Sequence, residues 1–301
     1  MRGFEDKIGD ISSLKSQSCD LKRERYNGHM KQSKITKAVL PVAGMGTRFL
    51  PVTKVVPKEL LPIVDKPVIQ YLVEEAVLSG IEEIIFVISK EKELIRKYFA
   101  HQPELEETLL RKGKHKLLES VRPLHKLAKF TFVYQNEPLG DGHAILQAEY
   151  AVGNKPFLVL FGDDIVKGPV PAAKQLMDAY HGESVIAVER IPREKTSLYG
   201  IIDPIQHKDR LYEVKGLVEK PKPAEAPSTL GIIGKYVCPP EIFKALKKAP
   251  KGKDGEIRLI DGFIELHKTQ KIWAVEIEGE RFDTGNPEGL AAAIRAYLPT
   301  R

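Results

Sequence analysis

The sequence predicts an α/β protein with a mixed, mostly parallel sheet, flanked by helices and carrying a small antiparallel β addition. Three observations lead there. From residue 37 onward, short apolar runs of strand length alternate with stretches of helical period. Strands separated by helices need crossover connections, which favour parallel pairing. In the second half the alternation gives way to short β-like runs around a turn, which favours antiparallel pairing there.

Residues 37–43 read as a buried strand. A helix is expected over 67–79: Pro67 suits its first turn, Ile69, Leu72, Val73, Ala76 and Val77 keep the helical period, and Gly80 stops it. The run Glu-Ile-Ile-Phe-Val-Ile over 83–88 is a second core strand, and 91–99 a helix. Residues 104–129 form a charged, partly helical insertion broken at Gly113 and Pro123. Strands follow at 130–134 and 157–161, with a helix over about 144–150 between them, then a helix at 171–180 and a strand at 184–189. Residues 199–219 carry the short β-like runs around the turn at 206–209, followed by the Pro-rich Lys220-Pro-Lys-Pro223. A strand at 231–237, helices near 241–247 and 257–267, a strand at 272–277 and a last helix at 288–297 complete the pattern.

The 301 residues suffice for a sizeable core, and 42% hydrophobic with 29% charged residues is ordinary for a soluble globular chain. The net charge of +6 would suggest nucleic acid, but residues 1–37 hold nine Lys/Arg against five Asp/Glu and account for most of it. No nucleic-acid partner is expected. Residues 1–34 are polar and aperiodic, with Gly28-His29-Met30 resembling a cloning scar or an alternative start; they are expected to be unfolded or tag-derived, with a single domain over 35–301. The two cysteines, Cys19 and Cys238, cannot build a disulfide framework; no run approaches the ~18–20 apolar residues of a membrane span, and no secretory signal is visible. A cytoplasmic protein with no membrane association is expected.

The stretch Val-Ala-Gly-Met-Gly-Thr-Arg-Phe-Leu-Pro at 42–51 follows the first strand. Gly44 and Gly46 allow a tight turn whose amide N–H groups can face an anion. Phe49 stands where a dinucleotide fingerprint needs its third glycine, and no Gly-Lys-Ser/Thr ends the loop, so neither a Rossmann oxidoreductase nor a Walker loop fits. Thr47 and Arg48 follow, Arg48 offering a rigid fork for phosphate oxygens and Lys58 a compact positive charge, with Pro51, Pro57 and Pro62 stiffening the excursion. In an open α/β sheet ligands gather at the carboxyl ends of strands, which brings the loops at 135–143 and 162–165 to the same edge. There Asp163 is expected to end a strand in Phe-Gly-Asp-Asp, where a carboxylate can hold a divalent ion, and Asp283, in Arg-Phe-Asp-Thr-Gly, similarly ends the late strand; either is open to the commoner role of turn or cap. Asp164 would project differently from Asp163. His, Cys and Glu show no zinc spacing.

The run from Val42 through Pro-Lys-Glu-Leu-Leu-Pro to Tyr71 resembles the signature of the bacterial sugar nucleotidyltransferases, and within them the uridylyltransferases that act on glucose 1-phosphate. Further matching motifs occur in order at 135–144, 157–164, 199–203, 218–221, 228–236, 256–261 and 281–285. The resemblance implies a Rossmann-like nucleotide-diphospho-sugar transferase fold in which the first loop holds the triphosphate of a nucleotide substrate. It assigns backbone at Ala43 and Gly44 to the base, Gly46, Thr47 and Arg48 to the phosphates, and Lys58 to charge near the reacting phosphorus. It assigns Gln135 to the uracil edge with Gly140 beside the base, and Asp163 with Asp283 to Mg2+. Glu219 is assigned to a sugar hydroxyl, Lys220 to the phosphate of glucose 1-phosphate, and Gly200 and Gly234 to leaving room for the sugar. His143 is read as supporting its helix, not as catalytic. A homodimer or homotetramer is implied as well.

Three positions depart from the family pattern. Asp141 replaces a small apolar residue after Gly140, either beside the base or ribose or facing solvent, and Arg258 and Ile260 replace polar residues near the sugar side. The implied reaction joins UTP and α-D-glucose 1-phosphate into UDP-glucose and pyrophosphate, by in-line attack without a covalent intermediate. The same chemistry with dTTP or another sugar 1-phosphate stays open, as does a non-catalytic regulator that binds nucleotide sugars. The full charged set Arg48, Lys58, Asp163, Lys220 and Asp283 argues against the regulator, since mere binding does not require it.

Overall fold

Along the chain come β1 (Lys37–Pro41), β2 (Pro62–Ile63), β3 (Lys66–Pro67), α1 (Val68–Leu78), β4 (Glu83–Ile88), α2 (Glu93–Phe99), α3 (Pro103–Arg111), α4 (His115–Val121) and β5 (Lys129–Tyr134). Next are α5 (Asp141–Gln147), α6 (Glu149–Val152), β6 (Phe157–Leu160), β7 (Asp164–Lys167), α7 (Ala172–Asp178) and β8 (Ser184–Arg190). They are followed by β9 (Gly200–Lys208), β10 (Leu211–Glu219), β11 (Leu230–Cys238), α8 (Glu241–Lys248), α9 (Leu259–His267), β12 (Ile272–Glu276), β13 (Glu280–Asp283) and α10 (Pro287–Tyr297). This computed structural model describes residues 34–252 and 254–299, so the expectations for Cys19, the 28–30 junction and all of 1–34 but Lys34 lie outside the described residues.

The main sheet runs β5-β4-β1-β6-β11-β8-β12-β10-β9. Its β5-β4-β1-β6 part is parallel throughout. β11 then lies antiparallel to both β6 and β8, β12 is parallel to β8, and β10 is antiparallel to β12 and β9. The mixed α/β sheet is as expected, but antiparallel pairing reaches its middle through β11 instead of staying in a peripheral addition. A strand covered on both faces is an apolar run that reads alike in either direction, so its polarity leaves no trace in the pattern.

Both faces of the sheet are buried, and the period of two shows in the split of side chains. Ala38, Leu40, Ile84, Phe86 and Ile88 enter one core with residues of α1, α2 and α7, while Val39, Ile85 and Val87 enter a second with α5, α8 and α9. Phe86 stacks on Phe99, Phe130 and Phe132, tying α2 and β5 to the centre of the parallel part. The runs at 199–219 form two nine-residue strands, β9 and β10, and the expected helix at 144–150 starts earlier, at Asp141. The two-residue ladder β2–β3 and the short strand β7 escaped the sequence pattern because so few residues show no period, whereas Asp283 does end a late strand, β13. Asp163 therefore does not end a strand: β6 stops at Leu160, and Asp163 sits in the turn before β7.

The turn joining β2 to β3 puts Val64 at φ 60, a left-handed conformation that a β-branched side chain resists. Val64 is exposed, so little packing offsets the strain. Val64→Asn, which tolerates this conformation, is expected to stabilise the fold by about 1 kcal/mol in urea unfolding.

Candidate active site

The loop after β1 is shaped by Gly46, whose φ of 68 opens the short 3-10 turn Thr47–Phe49. A Cβ there would lie 3.3 Å from both Lys58 Cβ and Thr53 Cγ2, and Thr53 Oγ1 donates to the Gly46 carbonyl at 2.8 Å. The glycine thus lets the loop fold back on the chain around Lys58. A Cβ at Gly44 would meet nothing within 4 Å, so packing does not demand that glycine; it leaves the loop backbone open to a ligand. Arg48 is exposed on the same loop.

Under the loop lies a line of alternating charges. Lys92 Nζ donates to Glu59 at 2.6 and 2.9 Å, with both side chains almost fully buried, and the neighbouring Lys58 Nζ donates to Asp163 Oδ2 at 2.5 Å. Burial pushes the Glu59 carboxyl up and the Lys92 ammonium down, each opposed by its partner. Burial, the largest single influence, would lower Lys58 and raise Asp163, but the opposite charges around them (Asp163, Glu59 and Asp283 about Lys58; Lys58 and Arg281 about Asp163) together outweigh it, so Lys58 is held above and Asp163 below its ordinary value. Sequence reasoning passed over Glu59 and Lys92, although Glu59 braces the turn: a Cβ at Gly162 would lie 2.6 Å from Val42 Cγ1 and 3.0 Å from Glu59 Cγ.

Asp163 and Asp283 meet across the β7–β13 pair. A Cβ at Gly285 would lie 2.5 Å from Asp163 Oδ2 and 2.9 Å from Asp283 Oδ1, so both carboxylates face one small volume. Thr284, buried, donates through its backbone N (2.7 Å) and Oγ1 (2.8 Å) to the Asp163 carbonyl, and Asn286 Nδ2 donates to Asp283 Oδ2 at 3.1 Å. Convergent hard oxygen donors beside a clearing kept by glycine fit a divalent cation such as Mg2+. Asp164 instead points away, accepting from Gly234 N at 2.6 Å and from Arg281.

A separate cavity of about 150 Å³ opens beside this cluster, several times the ~30 Å³ share of one water molecule. Gly200, Glu219, Lys220, Asp141, Arg258 and Ile260 contribute to its lining. A Cβ at Gly200 would lie 2.7 Å from Ile260 Cδ1 and 3.3 Å from Glu219 Oε2, so only glycine keeps this wall open. Lys220 has a φ of 46, a strained conformation for a lysine and one that clusters at functional positions. Its Nζ lies 3.3 Å from Glu219 Oε1. Arg281 joins cavity to cluster, donating to Asp164, next to Asp163, and to the hydroxyl of Tyr199 in the cavity wall at 3.2 Å.

At the end of β5, Gln135 Nε2 donates to Gly140 O at 3.0 Å and contacts His143 Nδ1 at 3.0 Å. Gly140 has a φ of 97, and a Cβ there would lie 2.5 Å from the carbonyl of Ile257. Close approach to a distant segment is thus its evident requirement, a contact no local pattern announces.

A nucleotidyl transferase family model matches residues 37–299. The chain belongs to this family. A UTP–glucose-1-phosphate uridylyltransferase of Bacillus subtilis (strain 168) is 49% identical over 259 residues, which cover 85% of this chain and 89% of that protein. A solved UDP-glucose pyrophosphorylase complexed with UDP-glucose aligns at a TM-score of 0.81 and 39% identity, over 89% of this chain and 100% of that one. A UTP-bound UDP-glucose pyrophosphorylase from Acinetobacter baumannii aligns at 0.81 and 38% identity, over 88% and 93%.

In this nucleotidyltransferase Ala43, Gly44, Gly46, Thr47 and Arg48 share the β1 loop, with Lys58, Asp163 and Asp283 forming the charged cluster and Gly200, Glu219 and Lys220 the cavity. Gly234 is not among the residues lining that cavity; a Cβ there would lie 2.6 Å from both Asp164 Oδ2 and Phe161 Cβ, which explains the glycine by packing. Asp141 has a structural role besides those expected. Its Oδ1 accepts from Leu259 N at 2.7 Å, so it caps the start of α9 and lines the cavity near Glu219. Sequence reasoning missed this cap because its helix starts more than a hundred residues downstream.

Burial raises the Asp141 carboxyl from 3.8 to about 6, against the lowering pull of the Leu259 and Gly142 amides. Folding therefore favours its protonated form: that contribution is whole below about pH 3.8 and lost as pH rises through about 6. Asp141→Asn keeps an oxygen for the Leu259 amide and removes the titration. Thermal unfolding from pH 4 to 8 is expected to show the variant gaining about 2 kcal/mol on the parent across that window.

Proposed function

We propose that this nucleotidyltransferase condenses UTP with α-D-glucose 1-phosphate, giving UDP-glucose and pyrophosphate. The 49% identity to a uridylyltransferase across 85% of the chain carries the substrate assignment. The geometry supports it: an open glycine loop and a charged cluster lie along one sheet edge, and Arg281 links Asp164, next to that cluster, to Tyr199 in the cavity wall.

The Gly44–Thr47 backbone and Arg48 hold the triphosphate, and Glu219 and Lys220 hold the sugar and its phosphate. An oxygen of the sugar phosphate attacks the α-phosphorus in line. The new phosphate–phosphorus bond forms as the bond from the α-phosphorus to the bridging oxygen of pyrophosphate breaks, and the electron pair leaves with pyrophosphate. The nucleophile is already ionised at neutral pH, so no general base is required, and rate comes from alignment and charge stabilisation. Lys58, kept protonated by Asp163 and Glu59, stands near the reacting phosphorus, and Lys220 screens one anion from the other. Asp163 and Asp283 would hold Mg2+, which when bound supplies neutralisation of triphosphate charge.

Gln135 reads the base. Both of its contacts to Gly140 and His143 run through Nε2, which leaves Oε1 to face a base edge. An acceptor there matches the N3–H of uracil and repels the N3 lone pair of cytosine. The enzyme works from a single catalytic domain over 35–301, as a homodimer or homotetramer in the cytoplasm, without nucleic acid; among the described residues no helix is long and apolar enough to cross a membrane.

Pyrophosphate release with Mg2+ and glucose 1-phosphate is expected to be fastest with UTP among UTP, dTTP, ATP, CTP and GTP; a dTTP preference would keep the mechanism and change the substrate. Asp163→Asn is expected to lower turnover by about a hundredfold or more while the far-UV spectrum and melting temperature stay close to the parent's. Full turnover in that variant would remove Asp163 from the reaction.

A further inference from the structure

The charged insertion between β4 and β5 has hardly any core of its own. α3 buries none of its residues and α4 only Leu118, so polar contacts must fix its position. One group of such contacts joins three separate pieces of chain: His101, just past α2; Glu106, in the first turn of α3; and His125, in the 3-10 turn Leu124–Lys126 that follows α4. One ligand atom from each of the three lies within 4.8 Å of the others. His101 Nε2 stands 3.1 Å from Glu106 Oε1, and the two imidazole rings pack with their centroids 4.3 Å apart. The other carboxylate oxygen, Glu106 Oε2, accepts from Arg122 Nε at 3.2 Å.

We propose that His101, Glu106 and His125 form a binding site for a divalent transition metal, Zn2+ by preference, which pins the α3–α4 insertion to the end of α2. Two imidazoles and one carboxylate are a donor set for Zn2+ and its neighbours, unlike the all-oxygen set at Asp163 and Asp283, which suits Mg2+. Three protein ligands leave a fourth tetrahedral position for water. Arg122 does what outer-shell partners of metal sites do: it orients the carboxylate through the oxygen not turned to His101. The ligands are five and nineteen residues apart in sequence, outside the short spacings of zinc motifs, which is why no zinc pattern stood out. The metal would act on the insertion as a cross-link, adding its binding free energy to the stability of a segment with few apolar contacts.

The test is titration of the full-length protein with Co2+ and Zn2+ in millimolar Mg2+, which keeps the carboxylate pair supplied with its own ion. The parent is expected to bind one equivalent of Co2+ with a visible d–d spectrum that Zn2+ abolishes, and Zn2+ is expected to raise its melting temperature. His101→Ala and His125→Ala are each expected to weaken binding by about tenfold or more and to lose the Zn2+-dependent rise, with Mg2+-dependent turnover unchanged. His101 is exposed enough for its truncation to leave the fold in place. Absence of Co2+ binding by the parent, or equal affinity in parent and the double variant, would overturn the proposal.

Discussion

The arrangement of the site depends on a buried cation and anion that cannot be separated. Glu59 and Lys92 are almost wholly out of water, and removing one partner of such a pair typically costs ~3–5 kcal/mol because the other is left charged and unpaired. Their contact fixes the segment after the glycine loop against the start of α2. Since Glu59 adjoins Lys58, that anchoring also delivers Lys58 to Asp163. The Gly162 backbone packs on Val42 and Glu59, so the turn bearing Asp163 is set from the same point. One desolvated pair thereby positions a cation from the first loop and a carboxylate from the turn after β6, two elements a hundred residues apart in the chain.

A second level of organisation comes from backbone meeting backbone. Ile257 N donates to Leu139 O at 2.8 Å and Gly142 N to Ile257 O at 2.9 Å, which ties the loop after β5 to the segment leading into α9. Asp141 completes this seam by capping α9. The seam puts Asp141, Arg258 and Ile260 together on the cavity that Gly200 and Glu219 also line, so the three departures from the family pattern are spatial neighbours. Through Gly140, whose carbonyl accepts from Gln135, the same seam reaches the end of β5.

What the sequence made legible follows from distance along the chain. Strand β4 and helix α1 carry their periods within a dozen residues, and the loop after β1 carries its chemistry in a fixed local spacing, so all were readable. Asp163 and Asp283 were readable because each sits in a compact motif, though their convergence on the clearing beside Gly285 required the fold. Glu59, Lys92 and the Gly140–Ile257 contact were not readable, since each gains its meaning from a partner far away in sequence. The polarity of β11 was hidden for another reason: an apolar strand covered on both faces has no side-chain pattern that records direction.

The central place of β11 has a consequence for the order in which the protein can assemble. β6 pairs with β1 on one side, but its other side is covered only by β11, whose residues are made some seventy positions later. On the ribosome the whole parallel part can therefore be present while Phe157–Leu160 still offers an open, apolar edge of the kind that recruits other chains. Completion of the parallel part thus waits on a strand from the second half of the chain. The strand that seals it also supplies Ile232 and Tyr236 to the cavity wall, so the sheet and the cavity are completed together.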